Sequence, residues 1–92
     1  MIDVKMDKAN SMALAKDGDK NVGEITFSAS DGLWIIDHTG VNSEYGGQGI
    51  GGKLVAKVVE EARKENVKIM PLCPFAAKEF EKHPEYSDVL KK

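Results

Sequence analysis

Five glycines fall within the seven residues 46–52, in the stretch Glu44-Tyr45-Gly46-Gly47-Gln48-Gly49-Ile50-Gly51-Gly52-Lys53-Leu54. Such a loop lets a ligand approach the backbone closely. From Ile50 the apolar residues recur at Ile50, Leu54, Val55, Val58, Val59 and Ala62, the spacing of one buried helical stripe. A helix therefore begins inside the glycine run. Its first-turn N–H groups lack partners and lie at the positive end of the helix dipole, which suits an anion such as a phosphate. Two other uses of the glycines compete with that reading, tight turns and a flexible linker. The linker is disfavoured because no polar filler separates the loop from its flanks. The Lys-Ser/Thr ending of a P-loop is missing, and the strand-first setting of a dinucleotide fold is missing too.

Cys73 stands immediately before Pro74, where a helix start lowers a thiol's pKa and favours the thiolate. A nucleophile is one reading, and a small buried hydrophobe the other. His38 could take a proton from an attacking ammonium, or serve as a hydrogen-bonded strand histidine. Asp37 and Glu44 are alternative bases or solvated carboxylates. Lys53 and Lys57, one turn apart beside the loop, could meet a phosphate or face solvent. His83 precedes Pro84 and belongs at a helix C-terminus. One cysteine and two distant histidines give no metal-ligand spacing, so no metal site is expected. No serine triad can be assembled either.

Several short elements must position these groups. Ile2, Val4 and Met6 alternate with Asp3 and Lys5 as a half-buried strand, and 8–10 turn the chain. Residues 11–16 form a second strand with Met12 and Leu14 on one face. Asp17-Gly18-Asp19-Lys20-Asn21 is a turn signal. Residues 22–28 form a third strand, Ile25 and Phe27 facing one way and Glu24 and Thr26 the other. After another turn at 28–32, a fourth strand over 33–41 carries His38 and delivers the chain to the glycines. Phe27, Trp34 and Met70 read as core.

The helix from Ile50 runs to about Glu65, with Arg63 and Lys64 in its last turn and Asn66 able to take a left-handed cap. A fifth strand over 67–72 follows, parallel to the fourth by the right-handed crossover rule. Pro71 weakens pairing towards its end. A second helix opens at Pro74 and ends near Lys82, before Pro84. Beyond it Tyr86, Val89 and Leu90 are available to pack.

Ninety-two residues make one domain, 1–92. A net charge of −2 gives no support for a nucleic-acid surface. The halves differ, with four bases and eight acids in 1–46 against nine bases and seven acids in 47–92. The positive half holds most of the glycine loop, the right sign for an anionic ligand. A single cysteine forms no internal disulfide, and no apolar run resembles a signal peptide or membrane span, so a cytoplasmic protein without membrane partners is expected.

The order strand, glycine loop, helix, parallel strand, short helix resembles the acetyl-CoA-binding half of the GNAT N-acyltransferase superfamily. It does so over residues 22–82. That family's Gln/Arg-x-x-Gly-x-Gly/Ala motif is matched by Gly49-Ile50-Gly51, and the words Pro-Leu-Cys-Pro-Phe and His-Pro-Glu-Tyr resemble a small, trimmed branch of it. The resemblance implies an α+β fold, an α/β sandwich with an antiparallel four-strand meander and a parallel fifth strand. It implies acetyl-CoA or CoA as cofactor and an amine-bearing acceptor. The backbone N–H groups of Gln48, Gly49, Ile50, Gly51, Gly52 and Lys53 would hold the pyrophosphate, with Gly46 and Gly47 leading into the cradle. Thr39, Gly40 and Val41 would bond the pantetheine and thioester carbonyl like an added strand. One N–H at that carbonyl is worth about 3 kcal/mol in the transition state.

Three departures bear on transfer more than on cofactor binding. Gly46 occupies the motif's first position, which removes a polar contact to the phosphates. Phe80 stands where many members place a Tyr that protonates the leaving thiolate, which gives Cys73 a further possible role as the substitute acid. The two helices that usually follow the first strand are absent. Two functions follow, an N-acetyltransferase with Cys73 and His38 in catalysis, or an acetyl-CoA-binding sensor without turnover. A small interaction domain with an empty glycine loop is the third.

Overall fold

The computed structural model describes residues 2–91. Five strands lie side by side in chain order, β1 (Ile2–Asp7), β2 (Met12–Asp17), β3 (Lys20–Ser30), β4 (Leu33–Val41) and β5 (Lys68–Pro71). The first four form an antiparallel meander and β5 runs parallel to β4. Helix α1 (Ile50–Glu65) makes the crossover between them, and α2 (Pro74–Lys82) follows β5. These match the expected elements, with β4, α1 and α2 at the expected bounds.

Short turns make the meander possible. Gly18 (φ 61°) and Gly32 (φ 70°) take the left-handed conformation at the β2–β3 and β3–β4 connections. Residues 8–10 form a 3₁₀ turn, and Asp7 accepts from the Asn10 N–H at 3.3 Å.

One face of the sheet is packed. Ile50, Leu54, Val55, Val58, Val59 and Ala62 of α1 are all buried, as the stripe predicts, against Ile25 and Phe27 of β3 and Trp34 and Ile36 of β4. Phe27 and Trp34 stack with ring centroids 4.6 Å apart, so both are core. Burying a side chain of this size contributes about 1.5–3 kcal/mol. Ala76 and Phe80 of α2 join the same cluster.

Met12 and Leu14 share a face of β2 as expected, though not the core face, and the expectation that Met70 is core is corrected. On β2 the fully buried residues are Ala13 and Ala15, while Met12 and Leu14 lie half-buried on the opposite face. Small side chains there let α1 come close to the sheet. On β5 the core residue is Ile69, and Met70 is half-buried on the other side. Val67 is not in the strand, because its N–H bonds the Ala62 carbonyl at 3.0 Å and so still closes the helix. The tail does pack, with Val89 buried and Leu90 bridging Ile69. Among the described residues no helix is long and apolar enough to cross a membrane.

Candidate functional site

Strands β4 and β5 begin together and then part. Their register runs from Leu33 opposite Lys68 to Ile36 opposite Pro71 and stops there. Pro71 has no N–H to continue the ladder. The next two amides, of Leu72 and Cys73, both donate to the Ile36 carbonyl at 3.1 Å, and the chain then turns into α2. β4 goes on to Val41, paired with β3 on one side only. An edge of unpaired backbone is thereby left beside Thr39 and Val41, able to take an extended, peptide-like ligand.

The far end of that edge leads to the glycine loop. Asn42 opens the loop by accepting from the Glu44 N–H at 2.9 Å, and residues Ser43–Tyr45 make one 3₁₀ turn. The Tyr45 hydroxyl donates to Asp17 at 2.8 Å, which pins the loop to the β2–β3 hairpin. That bond holds the Tyr45 phenol above its ordinary pKa and the Asp17 carboxyl below its own. Gly47 (φ 82°) and Gly49 (φ 74°) then take conformations that side chains resist.

Gly49 is the N-cap of α1, makes no side-chain cap, and has no acid near it in the first turn. The first helical bond runs from the Lys53 N–H to the Gly49 carbonyl at 3.1 Å. The N–H groups of Ile50, Gly51 and Gly52 precede that bond and face outward along the dipole.

In front of them lies a cleft of about 380 Å³, lined by Val41, Tyr45, Gly46, Gly47, Gly49, Ile50, Gly51, Gly52, Phe75, Glu79 and Lys82. Its narrowness is set by α2. A Cβ placed on Gly51 would meet the Phe75 ring at 2.5 Å, and one on Gly52 would meet Glu79 Oε1 at 3.2 Å. Phe75 is 40% exposed and Leu72 63%, so apolar groups flank the mouth of the splay.

Cys73 sits where β4 and β5 part, buried, as the N-cap of α2. Its thiol donates to Thr39 Oγ1 at 3.6 Å. Burial pushes the thiol's pKa up. The N–H of Ala76, the Thr39 hydroxyl and the N–H groups of Phe75 and Thr39 outweigh that, and the net direction is down. These donors act electrostatically, since the sulfur makes no formal capping hydrogen bond to the helix.

The structure thus brings Val41 and the glycine loop to one cleft, and Thr39 and Cys73 into contact where β4 and β5 part. It does not place every expected residue there. Gln48 and Lys53 are exposed and lie outside the cleft lining. Lys57 is engaged with Glu60 at 3.3 Å and Glu61 at 3.8 Å, so its charge is directed away from the loop. Glu44 pairs with Lys20 at 3.5 Å, and Asp37 accepts from Ser28 at 3.2 Å.

His38 and Gly40 belong to the other face of the sheet. His38 pairs with Thr26 and Gly40 with Glu24, whereas Thr39 pairs with the buried Ile25. His83 caps the α2 C-terminus and stacks on Tyr86, a structural place. Among the described residues no group of three or more His, Cys, Asp or Glu is placed to hold a metal ion.

Tyr45, Phe75, Glu79 and Lys82 are cleft residues that the sequence reading did not single out. The signal for the α2 wall was the pair of glycines inside a helix, Gly51 and Gly52, which marks a close neighbour.

The family model for GCN5-related N-acetyltransferases matches residues 11–89. A GCN5-like protein of Staphylococcus aureus is 40% identical, with a TM-score of 0.76 over 97% of this chain and 87% of that one. A Mycobacterium tuberculosis protein solved with CoA superposes with a TM-score of 0.66 at 24% identity, covering 80% of this chain and 47% of its own. A Bacillus anthracis protein solved with acetyl coenzyme A gives 0.60 at 22%, covering 77% and 43%. This chain thus spans under half the length of the last two. No curated sequence is significantly similar to it.

Proposed function

Because the chain belongs to the GCN5-related N-acetyltransferase family, we propose that it binds acetyl-CoA in the cleft before α1 and transfers the acetyl group to an amine. Supporting the donor are the neighbours solved with CoA and acetyl coenzyme A. The observation that carries the reading is the parting of β4 and β5 after Ile36, beside a helix start with free N–H groups and no side-chain cap.

On this reading the N–H groups of Gly49 to Gly52 hold the pyrophosphate, the Lys53 N–H being taken by the Gly49 carbonyl, and Gly46 and Gly47 let it approach. Thr39 and Val41 offer the unpaired edge to the pantetheine arm. The residues present fit such a guest, since the cleft keeps its width only while Gly51 lacks a side chain.

Acetyl-CoA is here a substrate, and Cys73 lies where its thioester would end. A thiol whose pKa is lowered gives up its proton more readily, and the thiolate is the nucleophile. Attack by Cys73 forms a sulfur–carbon bond to the acetyl carbonyl and breaks the bond to CoA, whose thiolate leaves and takes a proton from solvent. The acceptor amine, freed from its ammonium by loss of one proton, then displaces Cys73 as thiolate, gives its second nitrogen proton to solvent or to that thiolate, and carries the acetyl group away.

One observation favours a second reading. Phe80 is buried edge-on to Tyr86 at 5.6 Å, so position 80 offers no phenol to a leaving thiolate, and the chain could bind acetyl-CoA as a sensor. The deciding experiment measures CoA release against a panel of primary amines. Steady release that needs both substrates is expected. Binding without release makes the protein a sensor, and absence of binding removes both readings.

A further inference from the structure

The face of the sheet opposite the helices carries its own cavity, of about 280 Å³, lined by Asn21, Gly23, Glu24, His38, Gly40 and Asn42 together with Val22. It lies one strand's thickness from Thr39, because His38 and Thr39 are successive residues of β4 and point to opposite faces. Past Ile36 no β5 partner closes the gap between the two faces. A group bound on the outer face lies across β4 from Thr39, whose hydroxyl meets Cys73.

Two side chains in this cavity have unused chemistry. The Glu24 carboxylate, half-buried, makes no ion pair or hydrogen bond among the described residues, and neither does the His38 imidazole. The exposed imidazole lies over Gly40, where a Cβ would be 2.9 Å from Nε2. Glu24 pairs with Gly40 and His38 with Thr26, so the two side chains are diagonal neighbours on one face, about 7 Å apart. No lysine or arginine lines the cavity, and the half of the chain that builds it carries a net charge of −4. Its volume falls just under the range of drug-sized pockets, about 300–1,000 Å³.

We propose that this outer-face cavity is the acceptor site, and that its substrate is a small aliphatic diamine. The assignment rests on the acetyl-donor reading above. Glu24 holds one ammonium as a cation. His38 receives a proton from the other, and the freed amine attacks the acetyl carbonyl across the β4 edge. A carbon–nitrogen bond forms, the carbon–sulfur bond breaks, and the sulfur leaves as thiolate. The second nitrogen proton and the one on His38 pass to the thiolate and to solvent. The carboxylate that attracts a diamine repels an amine bearing a carboxylate at the same distance, so such amines are excluded.

The test uses the full chain saturated with CoA and follows backbone amides by NMR as cadaverine is added, with aminohexanoate and pentylamine as comparisons. Cadaverine is expected to shift the amides of residues 21–24, 38, 40 and 42, pentylamine to do so about fivefold to tenfold more weakly, and aminohexanoate not at all. In Glu24→Gln the preference for cadaverine over pentylamine should disappear while CoA shifts at the glycine loop persist. His38→Gln should lower kcat for cadaverine with little change in KM. CoA shifts without cadaverine shifts, or equal shifts from all three amines, overturn the acceptor site and leave the donor reading standing. Absence of CoA shifts overturns both.

Discussion

The two ends of α1 are built on opposite plans. At its C-terminus everything is closed. Asn66 takes the left-handed conformation (φ 58°), its N–H bonds the Ala62 and Arg63 carbonyls, and Arg63 and Lys64 complement the dipole. Glu61 nearby is buried but ringed by Lys8, Lys57 and Lys64. At the N-terminus everything is left open. A glycine caps the helix without a side chain, no acid stands in the first turn, and two further glycines hold α2 close without filling the gap. An ordinary Ser or Asp cap would add only about a few tenths of a kcal/mol over glycine. Its absence, on a helix finished so completely at the other end, leaves N–H groups available at the open end and puts stability at the closed one.

The sharpest way to break that contrast is Gly51→Val. Its new side chain would run into Phe75 and cross the cleft, so acetyl-CoA affinity should fall about a hundredfold or more and stability by about 1–3 kcal/mol. Calorimetric titration and thermal melting check the two separately. Unchanged affinity in a folded variant would show that the open end is empty.

Cys73→Ala should lower the rate of transfer at least about tenfold while leaving acetyl-CoA affinity within about twofold. Because the thiol is held below its ordinary 9.0, the wild-type rate should rise with pH along a limb that lies below that value. Rate–pH profiles and binding isotherms check this, and equal loss of rate and binding would make the cysteine structural.

At the closed end the effects should be on stability alone. Asn66→Ala forces a Cβ-bearing residue without Asn's tolerance into the left-handed cap and should cost about 1 kcal/mol, whereas Asn66→Gly should be close to neutral. Chemical denaturation measures both, and neither should alter acetyl-CoA affinity.

Smallest is the effect of Glu61→Gln. Burial pushes the Glu61 carboxyl up, but Lys64, Lys57 and Lys8 hold it below the ordinary 4.5. A depressed carboxyl stabilises the fold above that value and loses its contribution as pH falls through the folded pKa. The melting temperatures of wild type and Glu61→Gln should therefore differ at neutral pH and converge in acid. A difference that persists unchanged in acid would contradict the assignment.

The same contrast explains what could be read from the sequence. The bounds of β4, α1 and α2 were legible because local signals agree there, namely turn glycines before Leu33, the apolar stripe from Ile50, Asn66 after Glu65, and prolines at positions 74 and 84. The glycine loop and Cys73 were legible as helix starts because the apolar stripe begins at Ile50 and Pro74 sits at the first helical position.

Faces and walls were less so. Met12 and Leu14 are more apolar than Ala13 and Ala15, yet α1 needs the smaller pair beneath it, and only the packed pair of layers decides that. Phe75, Glu79 and Lys82 form one side of α2, but their spacing does not say which neighbour they meet. His38 was legible as a candidate base on the fourth strand. That it faces away from Cys73 depends on the irregular register between Thr26 and Phe27 opposite β4, which no residue pattern announces.

The most direct test of the account is an amide-resolved NMR titration of the full chain with acetyl-CoA. It predicts shifts concentrated at residues 39–41, 46–53 and 73–76, with Asn66 and the Glu61 network unmoved. Shifts spread over the closed end of α1, or none at millimolar ligand, would contradict it.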